Sequence, residues 1–261
     1  MTLLLAAAMV LAPLPMGSLT AAAATEIQAG LPAFNVNTAQ ATTVGFGGKQ
    51  WVVIGGDGKG VAHAPNALTL LLADGQGNPY GKTVFHGSSK VYSASTLKTK
   101  MDDAYAALPE NEKGLVTERK LTGGNKRSDT YRVKKPELTG GSGNSGSGTY
   151  NDNSIAGDDD FWELRYPGDN DNIAGADVTG AKFWPLSINE ANAVNNDLRF
   201  FDEIWWLRLP GDDDYLAAIV FECGDVFAWG NHVSIAYAVR PAFYLPQIIL
   251  VCCLHSTSNF L

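Results

Sequence analysis

WWLRLPGDDDYLAAIVFECGDVFAWGNHVSIAYAVRP, residues 205–241, mixes two kinds of position within one stretch. Its ends read as scaffold: Trp205 and Trp206 are large enough to anchor a core, Arg208 can hold a loop carbonyl or carboxylate, and Arg240 with Pro241 marks a strand entry. Between these ends, small or apolar residues suited to packing (Gly211, Ala217, Ala218, Val220, Gly224, Val226, Gly230, Val233) alternate with residues that obey no amphipathic rule. That second set is Asp212, Asp213, Asp214, Tyr215, Leu216, Ile219, Phe221, Cys223, Asp225, Phe227, Asn231, His232, Ser234, Ile235 and Tyr237, with Ala228 and Ala236. One set serves packing, and the other is free of that demand.

Within the same region, AAIVF, DVFAW, HVSIAYAV and the following AFYL are short apolar runs separated by Gly and Asp, which predicts an antiparallel meander. Upstream, KQWVVIGGDGKG (49–60) and ALTLLLADGQG (67–77) predict two more strands, each closed by a turn. Two helices are expected. Ser95 is a natural N-cap for Leu97, Met101, Ala104, Tyr105 and Leu108 at helical spacing, stopped before Pro109. Ser187 and Glu190 have the spacing of a capping box, with Trp184 beside them as a core aromatic. Helices earlier, strands later and long loops between them predict an α+β fold.

The chain of 261 residues is 45% hydrophobic, enough for a sizeable core, and its formal charge of −8 excludes the basic face that nucleic acid requires. Residues 1–24, an apolar run broken by Pro13 and Pro15 and ending in small residues, predict a signal peptide and therefore export, to the cell surface or the medium. No transmembrane span is expected once it is removed. A lead-in is expected over 25–44, a folded domain over 45–250 and a tail over 251–261. Gly, Ser and Asn crowd the region around 121–160, which predicts a flexible insertion within that domain.

No catalytic constellation emerges: the four histidines form no H-E-x-x-H, and neither C-x-x-C nor G-x-S-x-G occurs. The chain therefore reads as no enzyme, with neither a metal nor another cofactor. The runs Asp158–Asp160 and Asp212–Asp214 raise calcium, but their spacing does not support it, and they read as solvated acidic loops. Cys223, Cys252 and Cys253 give no disulfide framework. FWELRYPGDNDN (161–172) echoes WWLRLPGDDDY (205–215) without making a repeat architecture.

QWVVI, LTLLLA, YSASTLK, FWPLSxxEA, WWLRxPG, AAxV, GxV and VRPA follow one another over roughly residues 45–245. In that order they resemble the C-type-lectin-like bacterial surface domains that include the variable proteins of diversity-generating retroelements. The resemblance implies a C-type-lectin-like fold and a C-terminal surface, about 209–237, rewritten by adenine-directed mutagenesis of the gene's 3′ end. Mutating the adenines of an AAC codon reaches fifteen residue types, and every member of the unconstrained set is among them. Glu222 and Trp229 are not reachable, and Leu209 and Ala238 stand where the family usually has Ser and Gly. The implied activity is recognition of a protein or glycan ligand on another cell, phage or host. Tyr215, Phe221, Phe227 and Tyr237 would supply rigid contact area, and Asp212–Asp214, Asn231 and His232 polar specificity. A fixed-specificity envelope adhesin and a formylglycine-generating-type oxidase on the same scaffold are the alternative readings.

Overall fold

The computed structural model describes residues 34–134, 161–166 and 168–247. The expected signal peptide, the tail with Cys252 and Cys253, and most of the expected insertion, including Asp158–Asp160, lie outside the described residues. Among the described residues, no helix is long and apolar enough to cross a membrane.

The fold is α+β, built on two five-stranded sheets. The first joins β1 (Thr43–Phe46), β2 (Lys49–Gly56), β4 (Ala67–Leu72) and β14 (Ala242–Pro246) in that order, with β3 (Lys59–Gly60) paired to β2. All its pairings are antiparallel. The second has the order β12 (Val226–His232), β11 (Leu216–Val220), β10 (Trp205–Pro210), β13 (Ala236–Ala238) and β5 (Lys82–Val84). Two smaller antiparallel pairs are β6 (Arg119–Leu121) with β9 (Val178–Ala181), and β7 (Thr130–Lys134) with β8 (Phe161–Arg165). Among the described residues the α-helices are α1 (Thr96–Ala106), α2 (Glu110–Lys113), α3 (Ile188–Ala193) and α4 (Asn196–Arg199).

Both expected helices form, for the expected reason. Ser95 Oγ accepts from Lys98 N at 2.9 Å, and Leu97, Met101 and Ala104 turn inward on α1. In α3 the capping box closes reciprocally: Ser187 Oγ accepts from Glu190 N at 3.0 Å and Glu190 Oε2 accepts from Ser187 N at 2.9 Å.

Three expectations need correction. The final strands are not a simple meander: β13 runs parallel to β10, pairing Trp205 with Ala238, and β14 leaves for the first sheet. Arg240 and Pro241 make that crossing, because Leu72 N donates to Pro241 O at 3.0 Å while Arg240 Nε donates to Leu72 O at 3.1 Å. The insertion expected from 121 does not start there, since Leu121 is a buried member of β6 and Thr130–Lys134 is a paired strand. The lead-in also belongs to the fold. Val36 is buried, and Asn37 donates from Nδ2 to Ala193 O at 2.6 Å and accepts from Asn195 N at 2.8 Å.

Tryptophans organise the core. Trp51 meets Phe243 edge-on at 4.7 Å and Phe183 at 5.5 Å, and its indole N–H is satisfied by Phe46 O at 2.8 Å. Trp206 donates to Thr83 O at 2.8 Å and packs on Phe85 and Tyr237 at 5.5 and 4.9 Å. Arg240 lies over Trp205 and Phe201, at 4.9 and 4.7 Å, while its Nη atoms donate to Arg199 O and Leu198 O.

Candidate functional site

The hairpin of β11 and β12 does not keep an even register. Leu216 and Ala217 pair with His232 and Asn231, and Ile219 and Val220 pair with Phe227 and Val226. Ala218 alone is therefore spanned on β12 by Ala228, Trp229 and Gly230, a bulge that turns Trp229 outward. Gly230 sits at φ +86°, and a Cβ there would lie 2.6 Å from Ala217 O. Gly211 has the matching constraint, because a Cβ on it would lie 2.3 Å from Trp229 O. Replacing Gly230 with Ala is expected to cost about 1–3 kcal/mol, read as a lower urea midpoint.

The scaffold residues are where the sequence puts them: Trp205, Trp206, Arg208, Gly211, Arg240 and Pro241 are all buried. Of the seventeen unconstrained positions, every one except Ile219 is exposed or half-buried. Ile219 is a correction. Its side chain is fully buried on β11, opposite Trp206 on β10, so it packs the sheet and presents nothing to solvent.

The outer surface carries a group of aromatic and polar side chains. Tyr215 and His232 stack with ring centres 5.5 Å apart, and Phe221 packs on Phe227 at the same spacing. Asn231 Nδ2 donates to Tyr237 Oη at 2.7 Å, tying the hairpin to β13. His232 Nδ1 accepts from Ser234 N at 3.3 Å, so the neutral ring carries its proton on Nε2. Ile235 is exposed in the same turn, and Cys223, beside Asp225, is an exposed free thiol. Trp229, 67% exposed, is the most open large apolar side chain among the described residues, although AAC cannot encode Trp and the position stands outside the unconstrained set.

The acidic run Asp212–Asp214 faces solvent, as expected of a solvated loop, but each carboxylate also has a cationic partner. Arg127 Nε donates to Asp212 Oδ1 at 3.1 Å, and Arg165 reaches both Asp212 O and, at 3.2 Å, Asp213 Oδ1. Lys90, its side chain 11% exposed, donates to Asp214 Oδ1 at 2.7 Å, Asp129 Oδ1 at 2.6 Å and Arg127 O at 2.9 Å. The Lys90 hydrogen bond holds the Asp214 carboxyl below its ordinary range. Three cations from distant parts of the chain thus fix the entry to the hairpin. Among the described residues no group of three or more His, Cys, Asp or Glu is placed to hold a metal. Lys90→Met is expected to cost about 1–2 kcal/mol, measured by urea unfolding, because the loss strands several acceptors that remain partly open to water.

Beneath the hairpin lies a buried charge network. Glu190 receives guanidinium hydrogen bonds from Arg208 and Arg119. Burial alone would raise its carboxyl, but the charges of Arg208 and Arg119, with hydrogen bonds from Arg208 and Ser187, outweigh burial and bring it down to about 2. The Glu of the capping box is therefore also the counterion of the scaffold Arg of WWLR. Arg119 also lies over the rings of Trp184 and Tyr244, at 5.0 and 5.5 Å.

Comparison with protein-family models, with curated proteins and with solved structures finds no match.

Proposed function

We propose that the chain is an exported ligand-binding protein of C-type-lectin-like fold, whose surface on β11, β12 and the turn after them recognises a protein or glycan ligand. The split in burial carries this reading: the residues suited to packing are inside except the half-buried Val226, and all unconstrained residues but Ile219 are open or half-open. Such a division lets side chains change without loss of the fold. Tyr215, Phe227 and Trp229 offer large, stiff contact area, and His232 and Asn231 offer directional hydrogen bonds. The clamp on Asp212–Asp214 supplies preorganisation, which lowers the ordering cost of binding.

The same division fits diversification by a retroelement. The test is to sequence the gene and its flanking DNA from many cells of the source population. A near-copy of the 3′ end with adenines at the unconstrained positions, and variation confined to them, is the expected result. Absence of such a copy, with uniform variation along the gene, would leave a binder of fixed specificity. Binding of the purified protein to protein and glycan arrays tests recognition itself, with a Tyr215, Phe227 and Trp229 triple Ala variant expected to lose it.

A further inference from the structure

Away from the hairpin surface, a cavity of about 460 Å³ opens between the turn Gly60–Ala62, β6 and α3, with Arg208 in its wall. Small-molecule sites typically span about 300–1,000 Å³. Arg119, Thr122, Asp171, Asn172 and Asn189 give it polar wall, and Val61, Ala62, Leu121 and Ala193 give it apolar wall.

The charges of this wall cancel. Arg119 and Arg208 are set against Glu190 and Asp171, and Lys120 at the rim is paired with Asp177 at 2.6 Å. Arg119 and Arg208 share Glu190, and Asp171 balances the remaining positive charge through neutral donors, so the wall has no net charge to repay an entering ion for the water it sheds. Hydrogen-bonding capacity, by contrast, is not exhausted. Asp171 accepts one bond on each carboxylate oxygen, from Ser187 Oγ at 2.9 Å and Asn189 Nδ2 at 2.6 Å. A second lone pair remains on each oxygen. Asn172 Nδ2 gives one of its two hydrogens to Asp169 Oδ2. Asn189 Nδ2 likewise gives one of its two hydrogens to Asp171 Oδ2, so each amide keeps a second N–H for a ligand, whereas Arg119 Nη1 and Arg208 Nε are sealed from the cavity and serve only the wall. Hydroxyl groups both donate and accept and carry no charge, so they suit a wall short of partners of both kinds. The apolar residues would meet the C–H faces of such a ligand.

We propose that this cavity binds a neutral polyhydroxylated molecule of monosaccharide size, at a site separate from the β11–β12 surface. The test titrates the full chain by calorimetry with glucose, galactose, mannose and N-acetylglucosamine, using glucuronate and glycine as charged comparators. At least one neutral sugar is expected to bind saturably, about tenfold or more tighter than either comparator. Ala193→Trp puts an indole at the cavity wall from an exposed helical position. It is expected to weaken that binding about tenfold or more with the circular dichroism spectrum unchanged. Asn189→Ala, also at an exposed position, is expected to give a smaller loss, and Trp229→Ala none. Failure of all four sugars to bind, or tighter binding of a comparator, overturns the proposal. So does sugar binding that Trp229→Ala abolishes and Ala193→Trp spares, an outcome that moves the sugar to the hairpin surface and leaves the recognition reading standing.

Discussion

Glu190→Gln is expected to lower folding stability by about 3 kcal/mol at pH 7, because it removes the one carboxylate shared by two buried or nearly buried guanidiniums. The wild-type carboxyl is held at about 2 in the folded chain against an ordinary value of 4.5. A depressed carboxyl contributes its full stability above the ordinary value and loses it as pH falls toward the folded one. The contribution should therefore decay between about pH 4.5 and pH 2, with a total near 3 kcal/mol for a shift of about two and a half units. Urea unfolding from pH 2 to pH 7 separates the cases. The wild type should weaken through that window more than the variant, and the two curves should converge at its acid end. Parallel curves at all pH values would show that Glu190 acts only through its cap on α3.

Much of this was legible in the sequence because it rests on local rules. Ser95 and Ser187 cap helices by chemistry confined to three residues, so both helices could be read without tertiary information. Trp205, Trp206 and Arg240 were readable as scaffold from size and charge alone. What escaped is non-local. Nothing near Asp212–Asp214 announces that Lys90, Arg127 and Arg165 will neutralise them, since those partners stand 47 or more positions away. The parallel pairing of β13 with β10 likewise depends on where the chain crosses at Arg240, not on any pattern within Ala236–Ala238. Trp229 was hidden by the bulge: codon arithmetic set it aside, while a register slip around Ala218 exposes it. The two Gly that permit this slip, Gly211 and Gly230, were visible as small residues, but the backbone each must clear was not.

Ile219→Asn should cost about 4 kcal/mol or more, whereas Ser at Tyr215, Phe227, Trp229 or Ile235 should each cost about 2 kcal/mol or less, least at Trp229. Asn at 219 loses a fully buried branched side chain and leaves an amide among Trp206 and the aliphatic residues of β10 and β11 without water. The four surface residues are between 37% and 67% exposed, so part of the area that truncation uncovers is already wet, and the Ser hydroxyl that replaces it can reach water. Urea unfolding of the five variants measures the contrast directly. Its consequence reaches the proposed diversification, because Asn is the residue that an unmutated AAC codon would place at 219. If that codon is in the template, selection for folding must reject Asn there, and a population should show only apolar residues at 219 beside free variation at 215, 227 and 235. A stable Ile219→Asn protein would instead mean that β11 yields locally, and that the positions able to vary without unfolding extend to the buried face of that strand.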